Sequence, residues 1–94
     1  MAKILIRRMI PADAEKELDE LLKQMRSSTP RREGYVSGET LRRVDAPGEV
    51  LVISTWRSVR DWEEWFNSPE RLEIQTKIEL LMAAPTEYAI YEHL

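Results

Sequence analysis

Along the chain, polar and apolar positions alternate between strand-like and helix-like spacing. Lys3–Ile10 is dense in Ile and Leu and reads as a strand ended by Pro11. Ala12–Ser28 places Ala14, Leu18, Leu21, Leu22 and Met25 on one stripe with Asp, Glu and Lys opposite, the signature of an amphipathic helix. Residues 29–34 form a polar connector. Tyr35–Val44 reads as a second strand, in which Gly38 marks a bulge or a close backbone approach. Asp45-Ala46-Pro47-Gly48 has turn chemistry and leads as a hairpin into Val50–Ile53. That solid, β-branched apolar run reads as a strand buried on both faces, extended by Thr55-Trp56. Ser58 offers a helix N-cap and Asp61, three residues on, fits a capping box. The helix it opens carries Val59, Trp62, Trp65 and Phe66. Ser68-Pro69 stops it and starts another, with Ser as cap and Pro at the first helical position. Glu70–Ala84 follows as a helix whose expected buried stripe is Leu72, Ile78, Leu81 and Met82. Pro85 closes it, and Thr86–His93 is the last strand.

The predicted order is β-α-β-β-α(α)-β, that of an α+β, ferredoxin-like antiparallel sheet with helices on one face. Residues 1–94 are expected to form one such domain, with no repeat or low-complexity segment. The helices cover one face only. Yet the Val50 strand is apolar in both phases (Leu51 and Ile53 against Val50, Val52 and Trp56), and the first strand is similar. The open face therefore predicts a homodimer, the same face of a second copy being the simplest cover.

Composition narrows the chemistry. Charged residues are 33% and hydrophobic residues 43% of the chain, and the net charge of −3 is spread over both signs, which argues against phosphate-driven nucleic-acid binding. Arg7-Arg8, Arg31-Arg32 and Arg42-Arg43 are pairs and not a basic tract. With no cysteine, disulfides, thiolate chemistry and iron–sulfur ligation are excluded. One histidine, His93, is too few for a protein-borne zinc site, so no metal is expected. No stretch has the length of a membrane span, and the N-terminal segment reads as a strand and not as a signal peptide, which leaves the cytoplasm as the default location.

The unit Val50–Pro69 holds all three tryptophans and the only Phe. A first strand, an amphipathic helix, Gly34 before the second strand, a strand ending in Trp56-Arg57-Ser58, then Trp65-Phe66-Asn67-Ser68 and a last strand with Tyr: this resembles the antibiotic biosynthesis monooxygenase family of dimeric α+β barrels, over nearly the whole chain. The resemblance implies a pocket between the sheet and the helices of each subunit. It leaves several activities open: cofactor-free oxidation of aromatic polyketides, quinol oxidation, haem degradation, or no assigned reaction. The haem-degrading branch uses an Asn on the first strand, a Trp just before the Asn-Ser pair and an axial His on the next helix. Trp65 matches the Trp, but Arg7 stands at the Asn position and Gln75 at the axial one. An amide is a poor axial ligand for haem iron, which disfavours that activity.

A cofactor-free oxygenase needs a pocket that binds a flat aromatic, favours its anion and excludes water. The candidates for chemistry are Arg7 (or Arg8, whichever faces inward) to stabilise an anion, Trp65 as an aromatic wall, and Gln75 and His93 to hydrogen-bond an oxygen or carry a proton. Tyr35, Trp62, Phe66 and Tyr91 are the candidates for substrate binding. Each has a plainer reading. Trp62, Trp65 and Phe66 also read as core, Arg7 and Arg8 as partners of carboxylates at the sheet edge, and His93 as a solvent-facing terminal residue. Two functions follow: a cofactor-independent monooxygenase acting on an aromatic, quinol-like or polyketide-like compound, or a non-catalytic dimeric module binding a small apolar or aromatic ligand. A convergent set of polar groups in a closed pocket favours the first; a lining of Leu, Ile and Trp alone favours the second.

Overall fold

A computed structural model describes residues 1–94. Strand β1 (Ala2–Met9), helix α1 (Glu15–Ser28), strands β2 (Tyr35–Arg42) and β3 (Glu49–Trp56), helices α2 (Val59–Phe66) and α3 (Pro69–Leu81) and strand β4 (Glu87–Glu92) follow in the predicted order. Single 3-10 turns at Ala12–Ala14 and Thr29–Arg31 flank α1. The strands form one antiparallel sheet of order β2-β3-β1-β4, the expected ferredoxin-like α+β fold. The molecule is 19 Å across its thin dimension, which is one sheet and one helical layer. No helix is long and apolar enough to cross a membrane.

Register assigns the faces. Ala2, Ile4, Ile6 and Arg8 of β1 pair with Trp56, Ser54, Val52 and Val50 of β3, and all eight face the helices. Lys3, Leu5, Arg7 and Met9 lie on the opposite face with Thr55, Ile53, Leu51 and Glu49. Leu41 and Tyr91 join them from the neighbouring strands. Nothing in the chain packs over this second face. The β3 run is consequently less buried than expected: Val50–Ile53 are half-exposed and full burial begins at Ser54. Val50 and Val52 border a cavity, while Leu51 and Ile53 lie on the uncovered face.

The two Ser caps are present. The Ser58 hydroxyl accepts the Asp61 N–H at 3.1 Å, and the Ser68 hydroxyl accepts the Arg71 N–H at 3.2 Å. The Asp61 carboxylate does not complete the capping box, because Asp is one methylene shorter than Glu; it accepts from the Ser58 hydroxyl at 3.0 Å instead. Helix α3 turns a different face inward from the one expected. Its buried residues are Arg71, Ile74, Gln75 and Ile78, while Leu72 is 46% exposed. Starting at Pro69, the phase of the helix directs Ile74 and Ile78 onto Ala14, Leu18 and Leu22 of the α1 region. The core has two clusters, this one and a second built from Ala2, Ile4, Ile6, Trp56, Trp62 and Trp65. Met25 packs on both.

Candidate functional site

A cavity of about 400 Å³ lies between the sheet and the helices, bordered by residues of both clusters. Ile6, Val50, Val52 and Ser54 form its floor on the sheet, Leu22 and Met25 of α1 cover it, and Trp62 and Trp65 of α2 close one end. Tyr35 borders it from β2, and the exposed residues Arg26 and Thr40 mark its mouth, whereas Glu39, next to Thr40, pairs with Ile53 on the outer face of the sheet. A wider groove between α1 and the β2–β3 hairpin adjoins it, sharing Leu22, Arg26, Thr40 and Val50.

The aromatic wall is rigid by contact. Ring centroids run Tyr35–Trp56 at 5.5 Å, Trp56–Trp62 at 5.9 Å, Trp62–Phe66 at 5.6 Å and Phe66–Tyr88 at 5.2 Å, mostly edge to face. The Trp56 indole N–H donates to the Ser54 hydroxyl at 2.7 Å, so this buried polar atom is satisfied within the wall. Gly38 makes room for Tyr35: a side chain there would meet the Tyr35 hydroxyl at 2.6 Å. The bulge between Tyr35 and Ser37 precedes this approach. Burial raises the Tyr35 pKa above the usual tyrosine range, which keeps its hydroxyl a proton donor.

Two buried arginines break the apolar lining. Arg8, on the helix-facing side of β1, is 3% exposed, and its Nη2 donates to Gln75 Oε1 at 3.0 Å. Gln75 Nε2 donates in turn to Glu79 Oε1 at 2.5 Å and to Thr86 Oγ1 at 3.2 Å, and the Thr86 N–H donates to the same Glu79 oxygen at 3.2 Å. Arg71 is also 3% exposed; it donates to the Tyr88 hydroxyl and to the Phe66 carbonyl, the latter at 3.0 Å. Its guanidinium carbon lies 4.3 Å from the Phe66 ring centroid. Burial lowers the pKa of both guanidiniums, and for Arg8 the charge of Arg71 adds to the effect. Arginine nevertheless stays charged in proteins. Burial lifts the Tyr88 hydroxyl above its usual range despite both neighbouring cations, so Tyr88 is a neutral phenol.

The cavity brings together Tyr35, Trp62 and Trp65 of the residues expected from the sequence. Gln75 stands behind Arg8 and outside the lining. Phe66 lies behind Trp62, against Tyr88 and Arg71. The remaining three are elsewhere. Arg7 points from the opposite face of the sheet and pairs with Glu87 at 2.6 Å, because β1 alternates and Arg8 takes the inward position. Tyr91 lies on that same outer face, 58% exposed. His93 lies beyond β4 and is exposed; its backbone N–H bonds Met1 O at 3.4 Å. Of the pair Arg7 and Arg8 left open by the sequence, Arg8 is the one that lines the cavity; Arg71 in the lining and Tyr88 behind it were not expected. A signal for Arg8 existed, since it shares the even phase of Ile4, Ile6 and Ile10. Arg71 and Tyr88 had none, as a charged residue in the first turn of a helix ordinarily faces water. Gln75 offers no axial donor to a haem: its oxygen is taken by Arg8 and its nitrogen by Glu79 and Thr86. No three His, Asp or Glu side chains converge to form a metal-binding cluster.

An antiparallel sheet with helices on one face, holding an aromatic cavity and buried cations between the layers, defines a ferredoxin-like α+β domain with a pocket of small-molecule size. The chain belongs to the antibiotic biosynthesis monooxygenase family, whose profile it matches over residues 1–77. Solved structures share the fold. Rv0793 from Mycobacterium tuberculosis is 25% identical, with a TM-score of 0.89 over 99% of this chain and 94% of that one. SnoaB, a cofactor-independent oxygenase from Streptomyces nogalater, is 17% identical, with a TM-score of 0.86 over 99% and 92% of the two chains. A conserved protein from Methanosarcina mazei is 17% identical, with a TM-score of 0.89 over 96% and 89%. No curated protein matches the chain.

Proposed function

We propose that this protein is a cofactor-independent monooxygenase acting on a small aromatic, quinol-like or polyketide-like compound bound in the cavity between sheet and helices. One observation carries the reading: a guanidinium, Arg8, buried in the wall of an aromatic-lined cavity. A phenol seated beside it has its pKa lowered by the fixed positive charge. The hydroxyl proton leaves through the mouth to solvent, and the electron-rich anion is the species that reduces O₂. One atom of O₂ becomes the new ring carbonyl and the other leaves as water with the displaced ring hydrogen and the phenol proton. Phenol plus O₂ thus gives quinone plus water, with all four electrons supplied by the substrate. Trp62 and Trp65 hold the ring, and the Tyr35 hydroxyl donates a hydrogen bond to a substrate oxygen. The family membership and the fold shared with SnoaB support the same reading. The protein works as a two-fold dimer in which the open sheet faces meet, and it resides in the cytoplasm.

Oxygen uptake against hydroquinones and dihydroxyanthracenes, with metal-free protein, tests the proposal. Uptake is expected to follow the wild-type protein, to fall at least tenfold in Arg8→Met, and to persist in Arg7→Ala, whose side chain lies on the other face. The binding-module reading has its own support: Glu39 borders the cavity but pairs with Ile53, so its side chain lies on the outer face of the sheet, and no carboxylate or imidazole projects into the cavity to act as a general base. Binding of the same panel with no uptake in any protein would make the chain a non-catalytic binding module.

A further inference from the structure

We infer that the ligand of this cavity is an aromatic carboxylate, seated on the guanidinium of Arg8 in the field of Arg71. The inference rests on the cavity being the binding site proposed above, and it adds the charge of what binds there. Arg8 has five N–H donors and gives one, to Gln75. Its Nε is fully buried with no partner at all. Neither Arg8 nor Arg71 takes part in a salt bridge; Arg26 and Arg57 have none either but are exposed to water, and the other six arginines are all paired. The single carboxylate near the two is Glu79, and its Oε1 is held by Gln75 and the Thr86 backbone. Tyr88, which touches Arg71, is neutral. The cavity wall therefore carries two buried positive charges, and the one carboxylate near them, Glu79, stands outside the lining. A buried charge without a counter-charge is costly, and the remedy available here is an anion from outside. A carboxylate suits a guanidinium with unused donors, since two oxygens can be held at once. The aromatic part follows from Trp62 and Trp65 beside it.

The relay behind Arg8 fits this role. Glu79 turns the Gln75 amide so that its oxygen faces Arg8, which holds the guanidinium in place while leaving its charge uncancelled. A direct Arg8–Glu79 pair would have neutralised it.

The test uses two isosteric probes, naphthalene-2-carboxylate and naphthalene-2-carboxamide, titrated against tryptophan fluorescence and by calorimetry. Neither is a phenol, so the result is independent of any oxygenase activity; failure of oxygen uptake leaves this inference standing, and the reverse holds too. The carboxylate is expected to bind about tenfold or more tightly than the amide, the scale of a charge-assisted hydrogen bond. In Arg8→Met that ratio is expected to fall to about one. A wild-type ratio near or below one would overturn the inference whatever the variant does, and so would a preference that survives in a folded Arg8→Met protein.

Discussion

Gly34, just before β2, has φ at +85°, and a Cβ there would stand 2.3 Å from the Cγ and Oδ2 of Asp61. Gly34→Ala therefore combines a left-handed backbone with a clash against the residue at the α2 cap. It is expected to lower stability by about 1–3 kcal/mol, read as a drop in urea midpoint at constant m-value. An unchanged midpoint would show that Asp61 can swing away freely. At Arg7 and Arg8 the sequence contained the answer but the local pattern concealed it. Two adjacent arginines look alike, and only the phase of the flanking isoleucines separates the one that faces solvent from the one in the cavity. Tyr88 makes a pH-dependent prediction. Burial raises its folded pKa above the unfolded value, so the folded state keeps a proton that the unfolded chain loses first. That contribution is complete below the ordinary tyrosine range, near 10, and is lost as pH rises from there through the folded pKa. Stability of the wild type should fall more steeply across that window than stability of Tyr88→Phe. Parallel slopes in urea denaturation at a series of pH values would refute it.

Among the elements, α2 was legible because its signals agree: a Ser cap, three inward aromatics and a Ser-Pro stop all point to the same span. Helix α3 was legible in its limits to within three residues but not in its facing. Its inward side carries Arg71 and Gln75 among Ile74 and Ile78, so counting apolar positions assigns Leu72 to the core when it is exposed. Polar residues belong inside only where they have partners, and those partners, Arg8, Thr86 and Tyr88, come from β1 and the β4 region far along the chain. The site was hidden for that reason. Ser68 shows how an element end reaches the site. Its hydroxyl accepts the Arg71 N–H and donates to the Trp65 carbonyl at 2.8 Å, which ties the end of α2 to the start of α3. Ser68→Ala should cost about 1–2 kcal/mol of stability. Ser58→Ala, which removes a part-buried cap remote from Arg71, should cost a similar amount. Only the Ser68 variant should also weaken carboxylate binding, since it loosens the residue that carries the second positive charge. Equal carboxylate affinity in the two variants would separate the cap from the cavity.

At the scale of the molecule, one face of the sheet is left without a cover by the chain's own helices. Only 19 of 94 residues are buried, and Leu5, Met9, Leu41, Leu51, Ile53 and Tyr91 share a face with no helix over it. A contiguous apolar surface of this kind is uncommon on a monomer, and a two-fold partner presents the same surface in return. The expected solution species therefore has twice the 11.1 kDa chain mass at micromolar concentration. Ile53, between Leu5 of β1 and Glu39 of β2, is the position to test. Ile53→Glu places a second carboxylate beside Glu39 and brings like charges together across the axis. It should weaken dimerisation by about 100-fold or more, the scale of one unpaired buried charge. Trp56, Trp62 and Trp65 lie among the helices on the other side of the sheet, so the monomeric variant should keep the near-ultraviolet circular dichroism of the wild type. Sedimentation equilibrium of both proteins decides it. A wild-type monomer would remove the sheet-to-sheet interface, and a variant that loses its tryptophan signal would place Ile53 in the folding core of the single chain.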